Sequence, residues 1–400
     1  MASIPFRAWI LFGGIGLVLT TCAGSEPCTD FAVILGAPFQ VVPGAGLPAE
    51  VVLRQANNNL DVVRHEGRVY LAFRTAPTHF ASPDTAIYVV SSIDQQTWDF
   101  EARFTKATDL REPRLLSFDD RLFLYFAVLG SDPTKFEPQG MMLSEYQGPG
   151  SWSTPEWFYL EGFIPWRARV EDGIPYLVAY VGGEGIYEPG GKPLEVHWLA
   201  TKDGRAFTPV IPGKPAVLVG GTSETDFAFL DDGSLIAVGR NEAGDARGFG
   251  SRICRATAED LGNWSCLADP KKYDSPLLFR QGGAVYLVAR RNVTETGDYD
   301  LGLDELPLSE QWVRYEADYS SRPKRCALWK VDPETRRIEF VLDLPSRGDT
   351  CFPALLREGQ GTVEIYNYSS ALDGGDVSWF EGQLNPTMIL RTTLTLDCAE

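Results

Sequence analysis

Read as alternating apolar and polar positions, the chain repeats one unit six times: a tight turn, then a short strand of β-branched and aromatic residues. The copies are 66–73, 120–126, 173–179, 233–238, 283–289 and 361–366, with turn positions 53, 53, 60, 50 and 78 residues apart. Glycine stands at five of the six turns, where it supplies the positive φ that tight hairpins need. Units of about 50 residues built from short strands mark a β-propeller, since that length holds four strands and their turns. Length alone would suggest two or three domains. The repeat predicts instead an all-β chain with a single six-bladed propeller over residues 46–400. A five-bladed ring with a stray hairpin is the alternative. The spacing of 78 places an insertion in blade five at about 293–321. That segment is polar and acidic and is expected to form a long loop over one face.

The first 21 residues do not follow this pattern. Arg7 precedes an apolar run, Trp9–Thr20, which is too short to span a bilayer as a helix. The stretch Leu19-Thr20-Thr21-Cys22 resembles a bacterial lipoprotein cleavage box, although Thr21 departs from the small residue usual before the cysteine. That resemblance implies a signal peptide over 1–21, lipidation of Cys22, a lipid-anchor or linker segment over 22–45, and a place in the cell envelope. Simple secretion is the alternative. No later stretch reaches ~18 apolar residues, so a lipid would be the only link to a membrane.

Beyond Cys22 six cysteines remain, an even number that suits an oxidising compartment. Sequence leaves their pairing open. Proximity suggests Cys254 with Cys266 and Cys326 with Cys351, leaving Cys28 and Cys398 to tie the ends. Free buried thiols are the alternative. No cysteine pair has metal-ligand spacing, there are three histidines, and no spaced run of oxygen ligands occurs. No metal or cofactor is expected.

The net charge of −18 becomes −19 once Arg7 leaves with the leader. Such a field repels nucleic acid and anionic lipid. An anionic substrate would need a local group of arginines. The expected partner is a glycan or small acidic sugar, and the expected state is monomeric.

Counting seven residues on from each turn gives Arg74, Ala127, Tyr180, Arg240, Arg290 and Tyr368. Equivalent positions lie at equivalent radii in a propeller, so these side chains could meet at one end. A guanidinium binds carboxylate through two parallel hydrogen bonds; blade-to-blade salt bridges are the structural alternative. Glycoside cleavage needs two positioned acids. Glu224, Asp349, Glu112 and Asp84 lie close in sequence to arginine or histidine in blade-end segments, and His79 could donate the proton instead. Each also has a structural use. Glu112 could pair with Arg111 or Arg114, Asp349 could cap a turn, and His79 could brace its loop. Trp152, Trp157, Trp166 and Trp198 could stack on sugar rings or pack in the core.

Ser92–Trp98 and Thr201–Phe207 resemble shortened Asp-boxes of sialidases, turns capped by their own aspartate. Blade number and spacing resemble the sialidase superfamily, over roughly residues 50 to 395. The resemblance implies a propeller of the sialidase type. It implies three arginines holding a substrate carboxylate, for which Arg54, Arg240 and Arg325 fit best, with Arg322 as a fallback. It also implies an activating glutamate at Glu224, within the matching stretch Ser223–Leu235. Two positions depart from the family. Where its acid/base aspartate belongs stands His79, with Asp84 the nearest acid. Where its nucleophilic tyrosine belongs stands Gly348–Pro353, with Tyr366 and Tyr368 later. The usual covalent tyrosine mechanism therefore lacks its nucleophile. The chain looks closer to a divergent bacterial branch carrying Arg-Thr-Ala-Pro-Thr-His (74–79), Arg-Glu-Pro (111–113), and Gly-Asp-Thr (348–350) before Tyr-Ser-Ser (368–370). The expectation is an exported sialidase-like glycoside hydrolase acting on an acidic sugar or related glycan end. One alternative is a non-catalytic glycan- or protein-binding propeller. Another is a five-bladed inverting glycosidase, because Arg111-Glu112-Pro113 resembles the Arg-Asp-Pro motif of fructosidase-like enzymes.

Overall fold

The computed structural model describes residues 28–182 and 192–398. Six antiparallel sheets surround one axis as a β-propeller, which removes the five-bladed alternative. Each sequence repeat becomes the turn and second strand of a blade: Arg68–Ala76, Arg121–Leu129, Ile174–Val181, Leu235–Asn241, Ala284–Asn292 and Thr362–Ser370. The innermost strands before them are Ala56–His65, Leu110–Phe118, Ile164–Glu171, Thr222–Phe229, Asp274–Gln281 and Ala354–Arg357. Second strands read as apolar runs because neighbouring blades cover both their faces; Arg121–Leu129 is buried at every position after the first. The turn at Asp172-Gly173 has φ of 49° and 77°, the left-handed pair that lets a two-residue hairpin follow the twist of its strands.

Blade six is built from both ends of the propeller. Phe31–Leu35 pairs antiparallel with Thr387–Cys398, from Phe31 opposite Cys398 to Leu35 opposite Leu394. Phe39–Val42 pairs further along the same strand. The segment expected as a linker over 22–45 thus belongs to the ring from Phe31 onward, because its apolar residues complete the outer side of this sheet. A disulfide joins Cys28 to Cys398 at the closure. Cys254–Cys266 and Cys326–Cys351 are bonded too. Three disulfides fit an exported protein. Among the described residues no helix is long and apolar enough to cross a membrane. The leader and Cys22 lie outside the described residues.

The blade-five insertion is not the open loop expected. It carries helix α1, Leu308–Ser321, which buries Gln311, Tyr315 and Tyr319 at four-residue spacing. Tyr315 and Tyr319 pack with Phe249 and Tyr299 on the blade end. The matching connection of blade six carries helix α2, Trp379–Leu384, capped by the Ser378 side chain accepting from Glu381 N. Trp379 meets Tyr319 edge to face at 5.5 Å, so the two helices form one wall.

Five innermost strands share an irregularity at the same end. Register shifts at Asn58/Leu60, Arg111/Arg114, Pro165/Arg167, Thr222/Thr225 and Asp274/Leu277. Asn59, Glu112 and Ser275 there have φ of 40°, 51° and 54°. Bulges re-aim side chains beside functional sites, and non-glycine residues in this region carry strain of order 1–3 kcal/mol. Just below them the axis is closed. Fully buried Arg114 lies 5.1 Å from the Trp166 ring centre and 4.3 Å from that of Phe352. Arg167 donates to the carbonyls of Pro276 and Pro353, at 3.0 and 2.8 Å.

Candidate active site

Above that plug lies a cavity of about 370 Å³ at the propeller mouth. Three layers of structure supply its walls. The bulges present Asn59, Glu112, Glu224 and Ser275; the second-strand ends present Tyr180, Arg240, Arg290 and Tyr368. The connections between second and third strands add His79 and Phe80 from blade one, Lys135 from blade two, Trp312 and Glu316 from α1, and Trp379 from α2.

On the side of blades four and five the charges form one web. Glu224 Oε1 is 2.9 Å from Arg240 Nη1, and its Oε2 accepts from Ser275 N at 2.7 Å. Arg240 also reaches Glu242 at 3.0 Å. Arg290 Nη1 is 2.8 Å from Asp274 Oδ2, which takes the Tyr319 hydroxyl at 2.6 Å. Lys272, wholly buried, bridges Glu242 at 2.5 Å and Glu316 at 2.7 Å. Three cations (Arg240, Arg290, Lys272) therefore face four carboxylates (Glu224, Glu242, Asp274, Glu316), with Lys324 and Glu112 acting on the same groups from beside them. Burial pushes Glu224 up; Arg240 opposes this, Asp274 and Glu112 add to it, and the carboxyl ends at about 7. Burial also raises Glu316, against Lys272 and with Glu242. For Asp274 burial is outweighed by Lys272, Arg290 and Arg240, which hold it below the usual range. Glu224 is thus a carboxyl that keeps its proton near neutrality, as a general acid must.

Across the mouth, Asp349 is buried and collects three donors. His79 Nδ1 lies 2.7 Å from Oδ2, while the Tyr368 hydroxyl and Trp379 Nε1 reach Oδ1 at 2.9 and 3.2 Å. Burial would raise Asp349, but His79, Arg290 and the Tyr368 hydrogen bond outweigh it and keep it ionised. In the tautomer that carries its proton on Nδ1, His79 donates to Asp349; Asn58 Nδ2 lies 3.4 Å from the same nitrogen. Tyr368 is different. Burial and then the Asp349 charge push it well above the ordinary tyrosine value, so its hydroxyl stays protonated and is a poor nucleophile.

The structure brings together His79, Arg111, Glu112, Glu224, Arg240, Arg290 and Tyr368 of the residues expected from sequence. Asp349 lies one layer behind them. The expected three-arginine clamp is not assembled. Arg54 is exposed and does not line the cavity, its backbone N bonding Thr75 instead. Arg325 pairs with Asp376 away from the cavity, and Arg322 with Asp318 on α1. Arg74 is fully buried below the rim against Asp109 at 2.8 Å, a blade-to-blade ion pair. Asp84 is exposed on the far part of its loop. None of the four tryptophans lines the cavity. Trp198 stacks on Tyr176 in the core, Trp166 packs against Phe352 in the plug, and Trp152 and Trp157 lie on the outer strands of blade two. Sequence reasoning missed Asn59, Lys135, Glu316 and Trp379. Glu316 carried a signal in Trp312-Tyr315-Glu316-Tyr319, a helical stripe inside the segment expected as a loop.

No known family profile matches the chain, and no curated protein does. Solved structures do. A protein of unknown function from Dyadobacter fermentans aligns over 91% of this chain and 99% of its own, with a TM-score of 0.59 at 15% identity. Trypanosoma rangeli sialidase in complex with the inhibitor DANA aligns over 85% of this chain, with a TM-score of 0.56 at 13% identity; the match spans 55% of the sialidase's length. Phage phi92 endosialidase aligns over 90% of this chain and 69% of its own, with a TM-score of 0.55 at 12% identity. The fold is that of the sialidase propellers.

Proposed function

We propose that the mouth cavity hydrolyses a sugar from a glycan end, with Glu224 as proton donor and His79, oriented by Asp349, as base. Glu224 protonates the glycosidic oxygen as its bond to the anomeric carbon breaks. His79 Nε2 takes a proton from the water that attacks that carbon. The observation carrying this reading is the pair of environments: a carboxyl pushed up to about 7 on one wall, and an imidazole fixed by a buried carboxylate on the other. Trp379 and Phe380 supply flat apolar surface for sugar C–H faces. An acidic sugar would meet Arg111 and Lys135 on blade two's side, in place of the absent clamp.

The sialidase likeness supports a sugar as ligand, since Trypanosoma rangeli sialidase has been solved with sialic acid. Phe352, near where a nucleophilic tyrosine was expected, favours the non-catalytic reading, a propeller that binds a glycan and releases it intact. Turnover of a panel of aryl glycosides, an aryl sialoside among them, decides between the two. Cleavage of one, abolished in Glu224→Gln and His79→Gln, is the expected result. Glycan binding by a folded chain that cleaves nothing would establish the binding module instead.

A further inference from the structure

The lower ends of the innermost strands carry a second pattern. Arg64 lies one residue from the end of its strand in blade one and Arg280 one from the end of its strand in blade five. Arg169 lies two from the end in blade three, and Arg357 is the last strand residue in blade six. Four of six blades thus place an arginine at the opening opposite the mouth. The opening leads to a cavity of about 380 Å³ whose lining includes Arg64, Arg167, Arg169, Arg357, Asp61 and Glu171. It is closed off from the mouth: Phe352 lines one cavity and Arg167 the other, and Arg167 donates to the carbonyl of Pro353.

In a chain of net charge −18 such a ring needs a reason. Arg64 pairs with Glu358, Arg169 with Asp226 and, at 3.5 Å, Glu171, and Arg280 with Asp231. Arg357 differs. One of its Nη groups donates to the Arg280 carbonyl at 2.6 Å, and among the described residues no carboxylate lies within ion-pair distance of it. Arg357 is exposed at the rim, and the partial desolvation of its guanidinium pulls it below its usual value. Glu171 opposes that shift, and Arg169 and Arg280 add to it. It is a cation crowded by cations at the edge of a concave site.

We propose that this far opening binds a small oxyanion, a phosphate or carboxylate group, through Arg357 with Arg64 and Arg169 beside it. A planar guanidinium presents paired donors to such a group, and a lining with four arginines against two carboxylates, Asp61 and Glu171, raises the local anion concentration. The site is separate from the mouth and does not depend on its activity.

The test is isothermal titration calorimetry of the intact chain with inorganic phosphate and, in a second arm, with citrate; which of the two binds more tightly separates a phosphate from a carboxylate site. Saturable binding that weakens with ionic strength is expected. Arg357→Ala weakens it about tenfold or more, as expected for a lost charge-assisted hydrogen bond. Arg357→Lys, which keeps the charge without the fork, lies between, and Lys135→Ala at the mouth leaves binding unchanged. Absence of saturable binding with both anions, binding indifferent to both Arg357 variants, or binding abolished by Lys135→Ala would overturn the proposal.

Discussion

Asp349 meets His79 Nδ1 at 2.7 Å from a position wholly out of solvent, so the histidine is oriented by a carboxylate whose oxygens are satisfied by protein donors rather than by water. Asp349→Asn would reverse that hydrogen bond. The amide would donate to Nδ1, move the proton to Nε2 and leave no base facing the cavity. We expect kcat to fall by about 10²–10⁴, the worth of a positioned base, with little change in KM. Steady-state kinetics on whichever aryl glycoside the wild type cleaves checks this, with circular dichroism to confirm the fold.

Glu224 sets the pH dependence. Its folded carboxyl sits near 7, above the usual carboxylate range. The sign follows: its contribution to stability is fully present below the ordinary carboxylate value and is lost as pH rises through about 7. Ionising it costs on the order of 1–3 kcal/mol. Activity should fall above pH about 7 as the donor loses its proton. Glu224→Gln should flatten the dependence of unfolding free energy on pH between about 4.5 and 8. A denaturant series across that range reads this without any substrate; an unchanged slope in the variant would refute the assignment.

Lys272 neutralises carboxylates from two elements, Glu242 on the propeller and Glu316 on α1. Lys272→Met leaves both buried with one cation fewer. The expected loss is about 3–5 kcal/mol near pH 8, the usual cost of breaking a buried ion pair. The loss should be smaller near pH 5, where Glu316, raised by burial, takes up a proton more readily. Chemical denaturation of wild type and variant at the two pH values gives the comparison. An equal loss at both would mean that Glu316 does not take up a proton over that range.

The Cys28–Cys398 bond joins residues 370 apart in sequence. Replacing both cysteines by serine should cost about 2–5 kcal/mol, as for other native disulfides. The loss should appear first as opening of blade six. Hydrogen exchange should show early loss of protection in Phe31–Leu35 and Thr387–Cys398, with the second strands of blades two to four still protected.

The frame was legible because it repeats. Gly67, Gly173 and Gly361 stand at fixed offsets from apolar strands, and counting seven residues on reached Arg240, Arg290 and Tyr368, which do line the mouth. The bulge residues were harder to read. Glu112 and Ser275 owe their aim to one extra residue in a strand, and alternation does not announce an extra residue. Long connections hid most. Lys135 sits in a polar loop like any other, and Glu316 on a helix whose outward face is as polar as the loop expected there. The arginine clamp failed for a further reason. Arg54 and Arg325 match in sequence spacing, but spacing along a strand end does not say which way a side chain turns.

Blade six has a consequence for the order of assembly. Its outer strands, Phe31–Leu35 and Phe39–Val42, are made first, yet their partner Thr387–Cys398 is made last. During synthesis the early segment therefore waits as an unpaired apolar edge while five blades form, and unpaired edges invite association with other chains. Loop closure over so many residues comes late and slowly. A chain shortened by its last strand would leave two orphaned edges on opposite sides of one gap, and we expect it to accumulate as aggregate rather than as a five-bladed remnant.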